Sequence, residues 1–326
     1  MNKTIVLLLT LVCLSGCIFL PSLDLEKKWV EQFVTGDESS SDKILILPIQ
    51  GVIMTQETSS LLSSKNACTP DKIQELLKLA SDDVHVKAVI LVINSPGGGV
   101  TASDIIYRTI KEFKAKYPDK PIIALMQDTA ASGGYYISCS ADYVMAHPTT
   151  ITGSIGVISM FFALEDLMGK IGVETVVIKS GKAKDTGSPF RKMTDEEKTY
   201  MQKIIDEMYN RFLDIVAEAR KNSLTRDEIK TLADGRILTG EEARKVKLVD
   251  SVGYMTDAYN KTLDLAHLKS AKVIRYQKSS GLFDNMFMGP MPSLELTYLA
   301  EMVLKTNSNQ FMYLWTPSLV TSSDTK

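Results

Sequence analysis

Three short stretches of this chain hold residue types able to do chemistry. The first, Asn94-Ser95-Pro96-Gly97-Gly98-Gly99, directly follows a continuous apolar run. Positive φ costs glycine little, so a glycine turn at a strand's carboxyl end can aim backbone N–H groups outward. Such groups hold an anion, either a phosphate or the oxyanion of a tetrahedral intermediate. A P-loop is excluded because no Gly-Lys-Ser/Thr follows, while a plain turn remains open. The second stretch is Asp128-Thr129-Ala130-Ala131-Ser132-Gly133-Gly134-Tyr135-Tyr136. Its small residues would let Ser132 occupy a sharp strand-to-helix turn, with a helix amino terminus behind it that favours developing negative charge. The N–H of Gly133 could join that of Gly98 or Gly99 in an oxyanion hole. A serine that opens a helix is also an ordinary cap. The third stretch runs from Ser180 to Arg191 and contains Lys182 and Lys184. Lys182 reads as a solvated surface charge, and Lys184 depends on what it faces.

These stretches need rigid elements behind them. Ile44–Leu47, Ala88–Ile93, Ile122–Leu125 and Val176–Ile178 are continuous apolar runs, the pattern of strands buried on both faces and paired in parallel. Thr69-Pro70 opens a helix whose Ile73, Leu76, Leu77 and Ala80 share a face. Thr194 with Glu197, Thr225 with Glu228 and Thr239 with Glu242 have capping-box spacing. The first of these starts a long helix with Met201, Ile204, Ile205, Met208, Phe212 and Ile215 on one core-facing stripe. Alternating strands and helices predict one α/β domain over 43–275. Residues 18–42 read as a linker, and 276–326 as a tail with an amphipathic helix near 294–304 that could serve assembly.

The four ordered motifs resemble those of the signal peptide peptidase A (protease IV) family of Ser–Lys peptidases, in its short form with a single protease domain. They are Asn94–Gly99, Ala130–Tyr136, Thr152-Gly153-Ser154-Ile155-Gly156-Val157 and Gly181–Arg191, with a weaker fifth match from Gly235 to Asp250. Lys247 stands where the family usually has glycine, which puts only a local turn in question. The resemblance implies the Clp protease/crotonase-like fold of repeated ββα units, assembled into rings in which a site can be completed across subunits. It implies Ser132 as nucleophile, Lys184 as general base and Ser154 as the group orienting that lysine. Gly133 and either Gly98 or Gly99 would supply the oxyanion donors. No metal or organic cofactor is called for.

A lysine, ordinarily titrating near ~10.4, must be desolvated to act as a base. Asp185 is therefore expected to point away from Lys184. A Ser-His-Asp triad has only His147 available, and His147-Pro148 reads as a strand-end turn. Two other classes stay open: a crotonase-like enzyme using the oxyanion hole alone, and a catalytically silent membrane scaffold.

The first residues, a basic start followed by an apolar run and Leu14-Ser15-Gly16-Cys17, read as an export signal and resemble a lipoprotein box acylated at Cys17. An uncleaved anchor and a cleaved soluble form are the alternatives for residues 1–17. Each places the body outside the cytoplasm, in a bacterial cell envelope. The 326 residues carry 37 Lys+Arg against 39 Asp+Glu, a balance that argues against nucleic-acid binding. The expected partners are peptide substrates such as signal-peptide remnants, the membrane, and further copies of this chain. Cys68 and Cys139 are left open as free or bridged.

Overall fold

The computed structural model describes residues 28–56, 67–279 and 311–314. By their contacts they form two units. In the small one, Lys28–Glu31 meets Tyr276–Ser279: the Ser279 N–H donates to the Lys28 carbonyl, and Lys278 lies over the Trp29 ring.

The larger unit is built on a mostly parallel sheet. The strands of that sheet are β1 (Trp29–Gly36), β2 (Lys43–Gln50), β3 (Val86–Ser95), β5 (Ile122–Ala131), β6 (Tyr143–Ala146), β7 (Ile151–Gly153), β8 (Ile237–Thr239), β9 (Ser251–Val252) and β10 (Lys272–Lys278), the first three residues of β1 and the last three of β10 being those of the small unit. They run in the order β1-β10-β2-β3-β5-β6-β9, with β7 pairing β5 and β8. A separate two-stranded sheet pairs β4 (Gly97–Gly99) with β11 (Met312–Leu314). The helices are α1 (Pro70–Asp82), α2 (Val100–Lys116), α3 (Gly133–Ser138), α4 (Glu165–Lys170), α5 (Asp195–Arg220), α6 (Arg226–Leu232), α7 (Gly240–Lys245) and α8 (Met255–Ala266).

Both faces of β3 are covered, which is why it reads as an unbroken apolar run. Ala88, Ile90 and Val92 belong to a core with Ile44, Leu125, Met145 and Val273, against which Tyr259 and Leu263 of α8 pack. The alternate residues Val89, Leu91 and Ile93 are equally buried, as are Ile73, Leu76 and Leu77 of α1 and Ile106 and Ile110 of α2. At about 1.5–3 kcal/mol for each large apolar side chain removed from water, this core holds the strands' carboxyl ends in place. Thr69 caps α1, and all three expected capping boxes form at α5, α6 and α7.

The structure departs from the sequence expectations in three places. Val176–Ile178 forms no strand, and Ile178 is 96% exposed. An apolar run becomes a strand only beside an edge that satisfies its backbone, and none of the described strands pairs with it. Trp29–Gly36, within the stretch read as linker, is a strand. The apolar stripe of α5 is fully buried only in its second half, at Phe212 and Ile215, while Met201 and Ile204 are half-covered. The export segment, Cys17 and the helix expected near 294–304 lie outside the described residues. Among the described residues, no helix is long and apolar enough to cross a membrane.

Candidate active site

Three parallel strands end together. Ser95 of β3 pairs with Ala130 of β5, and Ala131 of β5 pairs with Gly153 of β7. The residues after those pairs are the glycine turn, Ser132 and Ser154. Open parallel sheets bind ligands outside their carboxyl ends, and all three motifs occupy that edge.

Ser132 sits between β5 and α3 at φ 51°, ψ −112°, a region that L-residues rarely occupy. Its N–H donates to the Gly153 carbonyl at 2.8 Å, and its own carbonyl accepts from Tyr136 at 2.8 Å. The backbone is thus gripped on both sides. Although Ser132 holds the N-cap position, its hydroxyl makes no capping bond, so the plain-cap reading fails. The side chain is 1% exposed. Ser154, also left-handed at φ 49°, is 8% exposed and donates its N–H to Arg236 at 2.7 Å. The register of β5 and β7 makes these two serines neighbours.

The glycine turn packs directly against Ser132's successor. A Cβ on Gly133 would come within 3.2 Å of Gly97 Cα and 3.3 Å of Gly98 N. A Cβ on Gly98 would strike the backbone of Ile53, so this approach needs glycine. Ile53 donates to the Gly97 carbonyl and accepts from the Gly99 N–H, both at 2.9 Å. The Gly99 N–H is therefore occupied, and the edge of β4 turned away from Ile53 pairs with β11. Ser95 Oγ holds the turn from below, accepting from Gly97 N–H and donating to the Gly51 carbonyl. Ser103 Oγ donates to the Gly99 carbonyl at 3.0 Å.

Lys184 is not brought to this site within the chain. It lies exposed in a turn, its N–H donating to the Gly181 carbonyl. Asp185 points away from it, as expected: its carboxylate accepts from Arg191 at 2.9 Å and from Lys179 at 2.6 Å. The Arg191 guanidinium, then the Lys179 ammonium, hold that carboxyl well below the usual range. Arg191 also binds Glu197, which tethers the 179–191 turn to the start of α5. Lys182 pairs in solvent with Glu196 at 2.8 Å.

Sequence reasoning missed Ile53, Ile158 and β11. Met312 exchanges two 3.0 Å backbone bonds with Ile158, and Tyr313 packs on Tyr136 and Phe212. The signal available for β11 was the strand-forming run Phe311–Trp315. Cys68 and Cys139 are buried and free, and burial pushes their thiols up to about 12 and about 11. Among the described residues, no cluster of side chains fits a metal ion.

The profile of Peptidase family S49 matches residues 114–269, and that of Clp protease matches residues 50–152. A protein of Enterococcus faecium named signal peptide peptidase SppA is 38% identical over 251 residues, covering 77% of this chain and 72% of that one. The chain belongs to peptidase family S49. A Methanocaldococcus jannaschii protein named as a protease is 43% identical over 210 residues, 64% of this chain and 66% of its own. Protease 4 of Haemophilus influenzae is 36% identical over 234 residues, although the match spans only 36% of that longer protein. The two profiles overlap across 114–152, so the S49 match takes in Ser132, Ser154 and Lys184 while the Clp protease match takes in the glycine turn. The mixed α/β fold with its parallel-rich sheet is Clp protease-like.

Proposed function

We propose that this chain is a serine endopeptidase in which Ser132 attacks the substrate carbonyl and Lys184 is the general base. The observation that carries this reading is Ser132 itself. It is held at φ 51° where three strands end, freed from capping, with the glycine turn packed on Gly133. Backbone strain of this kind persists where the surroundings over-determine it, as at reacting groups.

The Gly133 and Gly98 N–H groups are the oxyanion donors in this reading. The Gly99 N–H is spent on Ile53, which favours Gly98 of the two candidates. Lysine is a weak base while hydrated, and burial lowers its ordinary ~10.4 by up to ~3–5 units. The exposed 179–191 turn would gain that burial against a neighbouring copy, with Ser154 of that copy orienting the amine. Neutral Lys184 takes the Ser132 proton as the oxygen attacks, then delivers it to the leaving amine. Water then attacks the acyl-enzyme, losing a proton to the same lysine, which returns it to Ser132 Oγ as the acid product leaves.

The substrates in this reading are extended apolar peptides, remnant signal peptides among them. An amino-terminal anchor, lipidated at Cys17 or uncleaved, would hold a ring of these chains at an envelope membrane near such peptides. The test is cleavage of an unfolded protein by the intact chain beside Ser132→Ala, Lys184→Ala and Lys182→Ala. The first two should lose at least about 10²–10⁴-fold, and the third should match the unmodified chain. Full activity in Ser132→Ala would end the assignment.

A further inference from the structure

The unusual backbone at Ser132 needs support on both sides, and the two sides differ in strength. On one side β5 is fixed within the sheet by β3 and β7. On the other, α3 has only six residues, too few to stand as a helix on its own bonds. Its first two, Gly133 and Gly134, carry no side chain that could anchor it. A Cβ on Gly134 would sit 2.9 Å from the Ser95 carbonyl oxygen, so this end of α3 lies flush against β3 only because it is glycine. The first anchors available are Tyr135 and Tyr136. Both are fully buried, and both hydroxyls are bonded.

The two tyrosines tie α3 to different neighbours. Tyr135 donates to the Leu248 carbonyl at 2.8 Å, and Arg220 beside it pairs with Asp250 at 2.9 Å. Asp250 in turn accepts from the Val144 N–H and donates its own N–H to the Val144 carbonyl, so this anchor rests on β6. Tyr136 donates to an Asp104 carboxylate oxygen of α2, which also accepts from Arg211 at 2.9 and 2.6 Å. Both arginines belong to α5. Burial pushes both phenols far above their ordinary value, so each keeps its proton and each donates. The Tyr136 N–H bonds the Ser132 carbonyl, so any shift of α3 passes directly to Ser132. We propose that the Tyr135 and Tyr136 hydroxyls are positioning groups for the reaction, holding α3, and through it Ser132 and the Gly133 N–H, where attack on the substrate carbonyl needs them. The proposal rests on the peptidase reading for its meaning and on these bonds for its geometry.

The test removes one oxygen at a time from the full chain, as Tyr135→Phe and Tyr136→Phe, which keep the buried rings. Tyr259→Phe is the control: its hydroxyl donates to the Ala271 carbonyl at 3.0 Å, but on α8, which contributes no residue to the site. Kinetics are measured on a short apolar peptide at a temperature where every variant is folded. Tyr135→Phe and Tyr136→Phe should each lower kcat about 10²-fold, the effect of a roughly 1 Å misplacement, with KM unchanged. Tyr259→Phe should keep both constants although its thermal midpoint falls. An unaltered kcat in either of the first two variants, or a raised KM in place of a lowered kcat, overturns the proposal. Amide exchange over residues 132–138 is read beside the kinetics and needs no substrate. It should run about tenfold faster in those two variants than in the Tyr259→Phe chain, the factor for one lost buried hydrogen bond. Equal exchange also overturns the proposal. A chain that cleaves no peptide yet shows this exchange pattern would end the peptidase reading and leave the brace on α3 in place.

Discussion

At the residue scale, the informative feature of Ser132 is its backbone. A left-handed, off-region serine costs about 1–3 kcal/mol, and here the Gly153 carbonyl and the Tyr136 N–H hold it there. Ser132→Gly should therefore abolish cleavage while raising the thermal midpoint, because glycine adopts this conformation without the Cβ penalty. A calorimetric scan checks this, and a lowered midpoint would show that the site stores no strain. Gly98→Ala should instead lower the midpoint and cleavage together. Its methyl group would push Ile53 off the turn and displace one proposed oxyanion donor, a change expected to cost about 10²–10³ in kcat. The buried thiols offer a check on the core around them. With Cys68 pushed up to about 12 and Cys139 to about 11 by burial, neither should alkylate near neutral pH until the chain is unfolded.

At the element scale, the sequence was legible wherever burial is decided within the chain. Ile44–Leu47, Ala88–Ile93 and Ile122–Leu125 all became strands, and each Thr-x-x-Glu became a capped helix start, because partner faces and caps are local. Val176–Ile178 has the same apolarity and lies exposed: a run records that burial is needed and says nothing of what supplies it. β11 escaped because the strand-forming run Phe311–Trp315 says nothing of its partner, three glycines with no side-chain pattern of their own. Gly98 was separable from Gly99 only once Ile53 was in place. The 179–191 turn depends instead on charge. Arg191 clamps Asp185 and Glu197 together, so Arg191→Met should loosen the turn and lower cleavage by about 10²-fold, the effect of misplacing a reacting group by roughly 1 Å. The clamp should also resist acid. Asp185 titrates below its ordinary value, so its contribution is complete above that value and is lost only as pH falls through the depressed one. Limited proteolysis should leave the turn uncut at about pH 4.5 as at neutral pH, and Arg191→Met should open it at both.

At the scale of the whole molecule, the proposed nucleophile and its proposed base make opposite demands. Ser132 is buried and fixed within one chain, while Lys184 stands in solvent on a segment whose neighbours Phe162, Leu167, Ile171, Val176 and Ile178 are exposed apolar side chains. Exposed apolar surface of this extent marks a contact surface. A head-to-tail ring would bury it and bring each Lys184 to a neighbour's Ser132, since a heterologous interface repeats one contact around a closed circle. Such sharing makes a prediction that a self-contained site cannot meet. Chains bearing Ser132→Ala and chains bearing Lys184→Ala, each inactive alone, should regain activity when mixed and reassembled. With random neighbours, half the contacts supply an intact serine and half an intact lysine, so roughly one quarter of the sites are whole. Peptide cleavage after mixing, followed against sedimentation of the assembled species, reads both quantities at once. Ile178→Asp should abolish recovery by keeping the chains apart. If mixed chains assemble and stay inactive, Lys184 serves the Ser132 of its own chain, and the exposed turn would have to fold back onto that site.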